Sequence, residues 1–304
     1  MDELGKLVAK HSKLFTTLPW TEFVHKVRGR SCIAPLVGTL EHPAANLLEE
    51  LRSVGAPVMC VTPEWSANRR DHAAKRGSHP SAQAHHEFVS EEMQDMIDRQ
   101  YWVVLPYKLV RSLPNLRISP LGVVPQRERR PRIIVDYTFS GVNDETDPHA
   151  FREAMQFVRA HLRIIQAVLF ASAEHGPIYL LKIDLSDGFY RVNVKAEDIP
   201  RLGVALPKLH HQDPSLIAFP LVLPMGWTES PPHFTSATET IVDLANRWAP
   251  TWDPPRHPLE TLASTAPPPF GDRVVITAPP PRHPSEVRSP LVHSQLAEMM
   301  SVGV

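Results

Sequence analysis

The stretch that decides the fold is Leu181–Val194, which reads LKIDLSDGFYRVNV. The apolar residues before Asp184 predict a short buried strand, and the Ser-Asp-Gly turn after it predicts a sharp change of chain direction. A carboxylate at the end of a buried strand, beside free backbone carbonyls, suits a hard cation such as Mg²⁺. These residues alone leave a second interpretation open, in which Asp184 only caps the segment that follows.

A second pattern lies downstream, in Leu223–Phe234, which reads LPMGWTESPPHF. An apolar strand runs into Pro224, a turn follows at Gly226, and Ser230 is the expected cap of a helix that continues to about Asn246. Glycine lets the backbone come close to a bound ligand. An ordinary strand–turn–helix junction would give the same pattern, so this motif alone also leaves both interpretations open.

The third pattern is upstream, in Ser119–Asn143, which reads SPLGVVPQRERRPRIIVDYTFSGVN. Its first half overlaps a strongly basic region that runs from Tyr107 to Arg132. Glu128 is the only acid in that region. The seven basic residues there are Lys108, Arg111, Arg117, Arg127, Arg129, Arg130 and Arg132. Arginines just before the predicted strand Ile133–Val135 are well placed to hold a triphosphate, although a solvated loop has the same composition.

Taken in chain order, the three segments resemble the fingers and palm motifs of reverse transcriptases, the RNA-directed DNA polymerases of retrotransposons. SPLGVVPQRERRPRIIVDYT resembles the fingers segment that grips the incoming nucleotide, and LLKIDLSDGFYRV resembles the first palm carboxylate motif. LPMGWTESPPHF resembles the motif that supports the template and the nascent base pair. The resemblance covers residues 85–246 of the 304, so it implies a polymerase domain within a longer chain.

The resemblance implies a metal site. Asp184 would be the catalytic carboxylate and a metal ligand, with the backbone carbonyl of Leu185 nearby. The cofactor would be Mg²⁺ or Mn²⁺, and the reaction would be metal-dependent nucleotidyl transfer. The partners would be an RNA or DNA template–primer and deoxynucleoside triphosphates.

The resemblance also implies roles for nucleotide and template residues. The nucleotide-binding residues would be Arg127, Arg130, Arg132, Phe189, Met225 and Gly226. Among them, Phe189 would lie under the sugar and reject a 2′-hydroxyl, the group that separates ribonucleotides from deoxyribonucleotides. Trp227 and Pro231 would lie near the template. Met225 departs from the glutamine or phenylalanine often found at its position, and Asp136 is expected to be structural rather than catalytic.

The predicted fold class is α+β, a partial polymerase of the right-hand type with fingers and part of the palm. Three segments are expected: 1–83, poorly defined; 84–246, the reverse-transcriptase fingers and partial palm; and 247–304, a disordered tail with 12 prolines. Within the first, the polar stretch Ser66–Ser81 is predicted to be a loop or linker.

Several elements can be placed by periodicity. Val89, Met93, Met96 and Ile97 predict one face of a helix, and Tyr101–Leu105 predicts a strand. A long helix is expected from Asp147 to Leu169. Further strands are predicted at Ile178–Ile183, Tyr190–Val194, Val204–Leu206 and Ala218–Leu223.

Composition excludes little. The formal net charge of -1 does not by itself indicate a nucleic-acid binder, but the charges are unevenly distributed. Cys32 and Cys60 form no C-x-x-C pair, and the 16 histidines show no zinc-ligand spacing. The sequence shows no signal peptide and no stretch of about 18 apolar residues, so an intracellular protein is expected.

One part of the family pattern is missing. Family members carry paired aspartates downstream of the second palm motif, and these complete the metal site. Residues 247–304 contain five acids, none of them adjacent: Asp253, Glu260, Asp272, Glu286 and Glu298. We therefore expect no polymerase activity from this chain alone. The alternatives are a non-catalytic nucleic-acid-binding remnant, a non-functional translated fragment, or one part of a retroelement polyprotein.

Overall fold

The computed structural model describes residues 3–35, 40–150, 185–208 and 213–247, with residues 152, 165, 168, 169 and 177 in addition. The chain forms two compact units. The first comprises Met1–Ser31, Ser53–His149 and Phe189–Ser230, and the second comprises Cys32–Arg52, Ala150–Gly188 and Pro231–Val304. The predicted tail, the strand at 178–183 and most of the long helix from Asp147 lie outside the described residues.

The first unit is built on a five-stranded mixed sheet. Its strands are β1 (Trp102–Pro106), β2 (Ile118–Gln126), β3 (Arg129–Val135), β4 (Gly203–Ala205) and β5 (Leu216–Pro220). Their order in the sheet is β1-β5-β4-β2-β3. Only the β2–β4 pair is parallel, and the other three pairs are antiparallel. The chain is therefore an α+β protein, as the sequence predicted.

Nine α-helices have both ends within the described residues, and residues 165, 168 and 169 are helical in addition. The nine are α1 (Glu3–Phe15), α2 (Trp20–Val27), α3 (Ala45–Ser53), α4 (Ala67–Arg76), α5 (Pro80–Ala84), α6 (His86–Asp98), α7 (Tyr107–Val110), α8 (Val142–Glu145) and α9 (Ser230–Arg247). Two 3₁₀ helices occupy Gly188–Arg191 and Ala196–Leu202. No helix among the described residues is long and apolar enough to span a membrane.

The N-terminal helices lie in a part of the chain without a clear sequence pattern, and they pack into the core of the first unit. The Trp20 ring lies edge-on to Phe219 of β5, with centroids 5.2 Å apart, and its indole N–H donates to the Ala196 carbonyl at 2.8 Å. Phe23 and Val24 of α2 are fully buried. Burial of aromatic side chains such as these supplies much of the driving force for folding.

The sequence-based prediction of a loop at Ser66–Ser81 is wrong. Helix α4 occupies most of it: the Ser66 hydroxyl accepts from the Arg69 amide at 3.3 Å, and Gly77 ends the helix with a positive φ. Only Ala73 and Ala74 of this helix are buried, so it lacks the apolar stripe that periodicity detects.

Two further predictions need correction. Tyr190 does not begin a strand, since Gly188–Arg191 is a 3₁₀ helix that follows Asp187 in the left-handed conformation. Asn193 and Val194 then form only isolated bridges. Ser230 is the first residue of α9, and its hydroxyl donates to the Pro224 carbonyl at 2.6 Å instead of capping the helix.

Candidate nucleotide site

Two of the three predicted motifs meet in the first unit, where β3 ends against the loop that contains Gly226. The structure explains why this loop needs glycine. Gly226 has a φ of +95°, and a Cβ added there would lie 2.5 Å from the Val135 carbonyl oxygen. Any larger residue here would be strained, both by the left-handed backbone and by the close approach to Val135.

Asn143 fastens the two segments together. Its side-chain amide donates to the Gly226 carbonyl at 3.0 Å, and its amide oxygen accepts from the Thr228 backbone N–H at 3.0 Å. The same amide nitrogen donates to the Thr138 hydroxyl at 3.0 Å. No role for Asn143 was predicted from the sequence. The sequence feature that could have indicated its role is an asparagine in the turn after β3, because asparagine side chains in turns commonly form hydrogen bonds with backbone groups.

Met225 and residues of β3 line one small apolar pocket. The lining residues are Met93, Met96, Trp102, Ile133, Val135, Tyr190 and Met225. The pocket has about 20 Å³ of open volume, which is room for one water molecule. Met225 is 45% exposed, and an unbranched thioether repacks easily, so a larger ligand could displace its side chain.

Tyr190 is a pocket residue that the sequence analysis missed. It adjoins the predicted sugar-contacting residue Phe189 in the 3₁₀ helix, and both side chains are partly exposed. The Tyr190 ring lies 5.1 Å from that of Tyr101. The only signal in the sequence was its aromatic character next to Phe189.

Tyr137 lies beside the Gly226 loop, with its Cδ2 3.7 Å from a Cβ added at Gly226. It is fully buried, and its hydroxyl donates to the Leu202 carbonyl at 3.1 Å. Burial raises the pKa of Tyr137 well above the ordinary range of a phenol, with a smaller contribution from Tyr190. The hydroxyl therefore stays protonated and acts as a structural donor rather than as an acid or base.

The arginines of the β2–β3 hairpin differ in their surroundings. Arg130 lies 2.6 Å from the Glu92 carboxylate and has its guanidinium 5.3 Å from the centre of the Phe88 ring, so α6 already holds it. Arg127, Arg129 and Arg132 are exposed and form no ion pair within the described part of the chain. These three are therefore available for an anionic ligand.

Arg117, counted in the basic region, does not belong to that surface. It is 1% exposed and forms an ion pair with Glu145 at 2.8 Å. The sequence could not separate it from the exposed arginines, because burial of a charged residue depends on a partner 28 positions away in this chain.

The other predicted site residues are placed as follows. Asp184 lies outside the described residues, and Leu185 and Pro231 belong to the second unit. Trp227 is 2% exposed, and its indole N–H donates to the Thr146 hydroxyl at 3.2 Å. No group of three or more metal-ligating side chains occurs among the residues that the structure describes.

Replacement of Gly226 should measure the importance of the junction. We expect Gly226→Ala to lower the free energy of unfolding by at least about 1–3 kcal/mol, the usual cost of a strained backbone, with the clash at Val135 added. Urea denaturation followed by circular dichroism measures it. Gly77→Ala is the matched control, because Gly77 has a φ of +75° but nothing within 4 Å of an added Cβ. Equal losses in the two variants would show that the contact with β3 is unimportant.

The chain was also compared with known proteins. No family model matches it, and no curated protein matches it.

Proposed function

We propose that this chain is the fingers and part of the palm of a reverse-transcriptase-type polymerase, and that it binds a template–primer and an incoming nucleotide. The observation that carries the proposal is the junction between β3 and the Gly226 loop. Motifs about 90 residues apart in sequence line one pocket, the first through Ile133 and Val135 and the second through Met225. A nucleotide site assembled from these motifs requires that arrangement.

The charges around the pocket support an anionic ligand. Alternation directs the Arg132 side chain to the face of β3 opposite Ile133, but β3 is the edge strand of the sheet, so this long side chain can extend around the edge toward the pocket. The turn at Arg127 and Glu128 leads into the same strand. Exposed guanidinium groups bind phosphate oxygens through paired N–H donors. In this proposal Arg127 and Arg132 hold phosphates, while Arg130 would first have to leave Glu92.

The remaining roles follow from the resemblance. Asp184 and the Leu185 carbonyl would hold Mg²⁺ or Mn²⁺, and Phe189 would contact the sugar. Pro231 would lie near the template. The resemblance implies the same for Trp227, but its indole is buried and donates to Thr146, so here we propose that Trp227 stabilises the loop from within. With one palm carboxylate, the chain would bind its substrates without joining nucleotides.

Binding to a labelled RNA–DNA hybrid tests the proposal. Neutralising about three phosphates through the unpaired arginines gives an expected log–log salt slope of about -3. Removing two of these arginines, in Arg127→Ala/Arg132→Ala, should weaken binding and reduce the slope by about 2. Fluorescence anisotropy at four or more salt concentrations measures both quantities.

A charge-matched control keeps the test specific. Lys6→Ala/Arg99→Ala also removes two positive charges, from exposed i,i+3 and i,i+4 ion pairs elsewhere in the first unit. This control should retain the wild-type salt slope. Equal losses in the two double variants, or binding that does not respond to salt, would contradict the proposal.

A further inference from the structure

An exposed aromatic side chain lies on the opposite side of the β2–β3 hairpin from the pocket described above. Phe139 is 60% exposed, although a phenylalanine ring in water loses the stabilisation that burial provides. It follows β3 in the turn that leads to α8. Neither the nucleotide pocket nor the packing of the sheet uses this ring.

The Phe139 ring is held in place by two neighbours. The Arg76 guanidinium lies 4.5 Å from the ring centre, and the His79 ring meets it edge-on, with centroids 5.2 Å apart and an interplanar angle of 82°. Asp136 fixes the arrangement, because its carboxylate accepts from the Phe139 backbone N–H at 2.8 Å and lies 3.1 Å from His79 Nε2. The ring is therefore oriented in advance of any ligand.

The surroundings of the ring are basic and partly apolar. Ile134 is 41% exposed, and a Cβ added to Gly122 would lie 3.1 Å from Ile134 and 3.5 Å from His79, so Ile134 adjoins the His79 side of the ring. Ile134 alternates along β3 with the pocket residues Ile133 and Val135, so this surface lies on the other face of the strand. Lys75 is also exposed, next to Arg76 at the end of α4.

From this arrangement we propose that Phe139, Arg76 and Lys75 form a binding platform for single-stranded nucleic acid. An unpaired base stacks on the exposed side of Phe139, and the flanking Arg76 and Lys75 side chains bind phosphates of the same strand. The choice of ligand follows from charge. Arg76 and Lys75 bring positive charge to the ring, and the carboxylate of the neighbouring Asp136 is already engaged by the Phe139 backbone N–H and by His79. Aromatic stacking beside cationic groups is how proteins bind single strands without reading their sequence.

The platform does not depend on the polymerase proposal, because a chain without a metal site would retain it. It predicts a preference that phosphate binding alone would not produce. An oligonucleotide with bases should bind more tightly than an abasic strand of the same length and charge. A duplex of the same length should gain nothing from Phe139, since its bases are already stacked.

The test is anisotropy titration of the full chain with a labelled 12-nucleotide oligo(dA) and with an abasic strand of equal length. Phe139→Ala should weaken binding to oligo(dA) by about 5- to 150-fold, the range that loss of one base–aromatic stack gives. Its salt slope should stay unchanged, because no phosphate contact is lost. Affinity for the abasic strand should change little.

Three further variants make the result specific. Phe139→Tyr should bind like wild type because it keeps the ring, and Phe139→Leu should bind like Phe139→Ala because it keeps only the apolar volume. Val61→Ala removes a side chain that is similarly exposed elsewhere in the first unit, and it should have no effect.

Equal affinity of the wild-type chain for oligo(dA) and the abasic strand would overturn the platform, as would unchanged binding by Phe139→Ala. The platform would also be overturned if Phe139→Leu lost no more affinity for oligo(dA) than Phe139→Tyr. That result would indicate an apolar contact of the kind a protein partner makes. None of these results changes what is expected for binding of the RNA–DNA hybrid by Arg127→Ala/Arg132→Ala. The two proposals therefore fail separately.

Discussion

Glu145→Ala should lower the free energy of unfolding by about 3–5 kcal/mol, the usual cost of leaving one partner of a buried ion pair uncompensated. The Glu145 carboxylate accepts hydrogen bonds from three side chains. Arg117 Nε and Trp65 Nε1 each lie 2.8 Å from one carboxylate oxygen, and Arg69 Nη2 lies 2.7 Å from the other. The variant would leave the guanidinium of Arg117 in the interior without a countercharge.

The remaining contacts of Arg117 show why the chain cannot easily adjust to that loss. Its Nη2 donates to the Thr62 carbonyl at 3.2 Å, the Thr62 hydroxyl at 3.1 Å and the Pro63 carbonyl at 3.2 Å. Its Nη1 is buried and has no hydrogen-bond partner within the described residues. Arg117 therefore links β2, α8 and the segment before α4, and it cannot reach solvent without separating them.

Urea denaturation measures the effect, and Asp95→Ala is the control. Asp95 also pairs with an arginine, Arg99, but both side chains are half exposed, and pairs of that kind contribute at most about 1 kcal/mol. A loss in Glu145→Ala no larger than in Asp95→Ala would show that the buried carboxylate is dispensable. Glu145→Gln should fall between them, because it keeps an acceptor and loses the charge.

The same carboxylate gives the stability a pH dependence. Burial alone raises the pKa of Glu145, but the hydrogen bonds from Arg117, Trp65 and Arg69 outweigh it and leave the pKa below its ordinary value of 4.5. The ionised form therefore stabilises the folded state. That contribution is fully present above the ordinary pKa and is lost as the pH falls through the lower folded-state pKa. Glu145→Gln should remove this part of the acid sensitivity.

The elements that sequence predicted well are those with strong local patterns. Val89, Met93 and Ile97 are the buried face of α6, as their spacing indicated. The β-rich run after Tyr101 forms β1, a strand whose first four residues are buried. In both cases the local pattern and the burial in the folded chain agree, so periodicity sufficed.

β2 shows why other elements were missed, whereas the strand predicted at Ile133–Val135 is the end of β3. β2 contains Pro120 and Pro125, which argue against a strand, and its turn at Arg127 and Glu128 contains neither glycine nor asparagine. Glu128 adopts the left-handed conformation, with a φ of 58°, without the residue type that predicts it. Pairing with β4 on one side and β3 on the other overrides these local preferences.

Some residues of the candidate site could likewise be predicted from the sequence, and others could not. Gly226 was predictable, because a glycine between an apolar strand and a helix indicates a close backbone approach. The roles of Asn143 and Tyr190 were not, because each depends on a residue more than 30 positions away. Likewise, nothing in the sequence distinguishes Arg130, held by Glu92, from Arg132, which forms no ion pair with a described residue.

The 304-residue chain should not extend a primer. A two-ion site holds its cations about 3.5–4 Å apart. At an effective dielectric constant of 20, two divalent ions at that distance repel by on the order of 15 kcal/mol, which several carboxylates and the substrate phosphates must offset. The predicted palm motif supplies Asp184, and the acids of residues 247–304 include no adjacent pair. One carboxylate would hold a single, largely hydrated Mg²⁺ and would leave the 3′-hydroxyl unpositioned.

Primer extension on poly(rA)–oligo(dT), with Mg²⁺ or Mn²⁺, measures this directly. Because positioning and charge stabilisation account for rate enhancements of roughly 10⁶ or more, the wild-type chain should give no product above that of Asp184→Asn. Asp144→Asn removes an exposed acid in α8 and serves as the matched control. Salt-dependent hybrid binding by the same preparation would show that the protein is folded and engages its substrate. Extension by wild type and by Asp144→Asn that disappears in Asp184→Asn would contradict the expectation, because the missing ligands would then have to come from elsewhere in the chain, with Asp272 the first to replace.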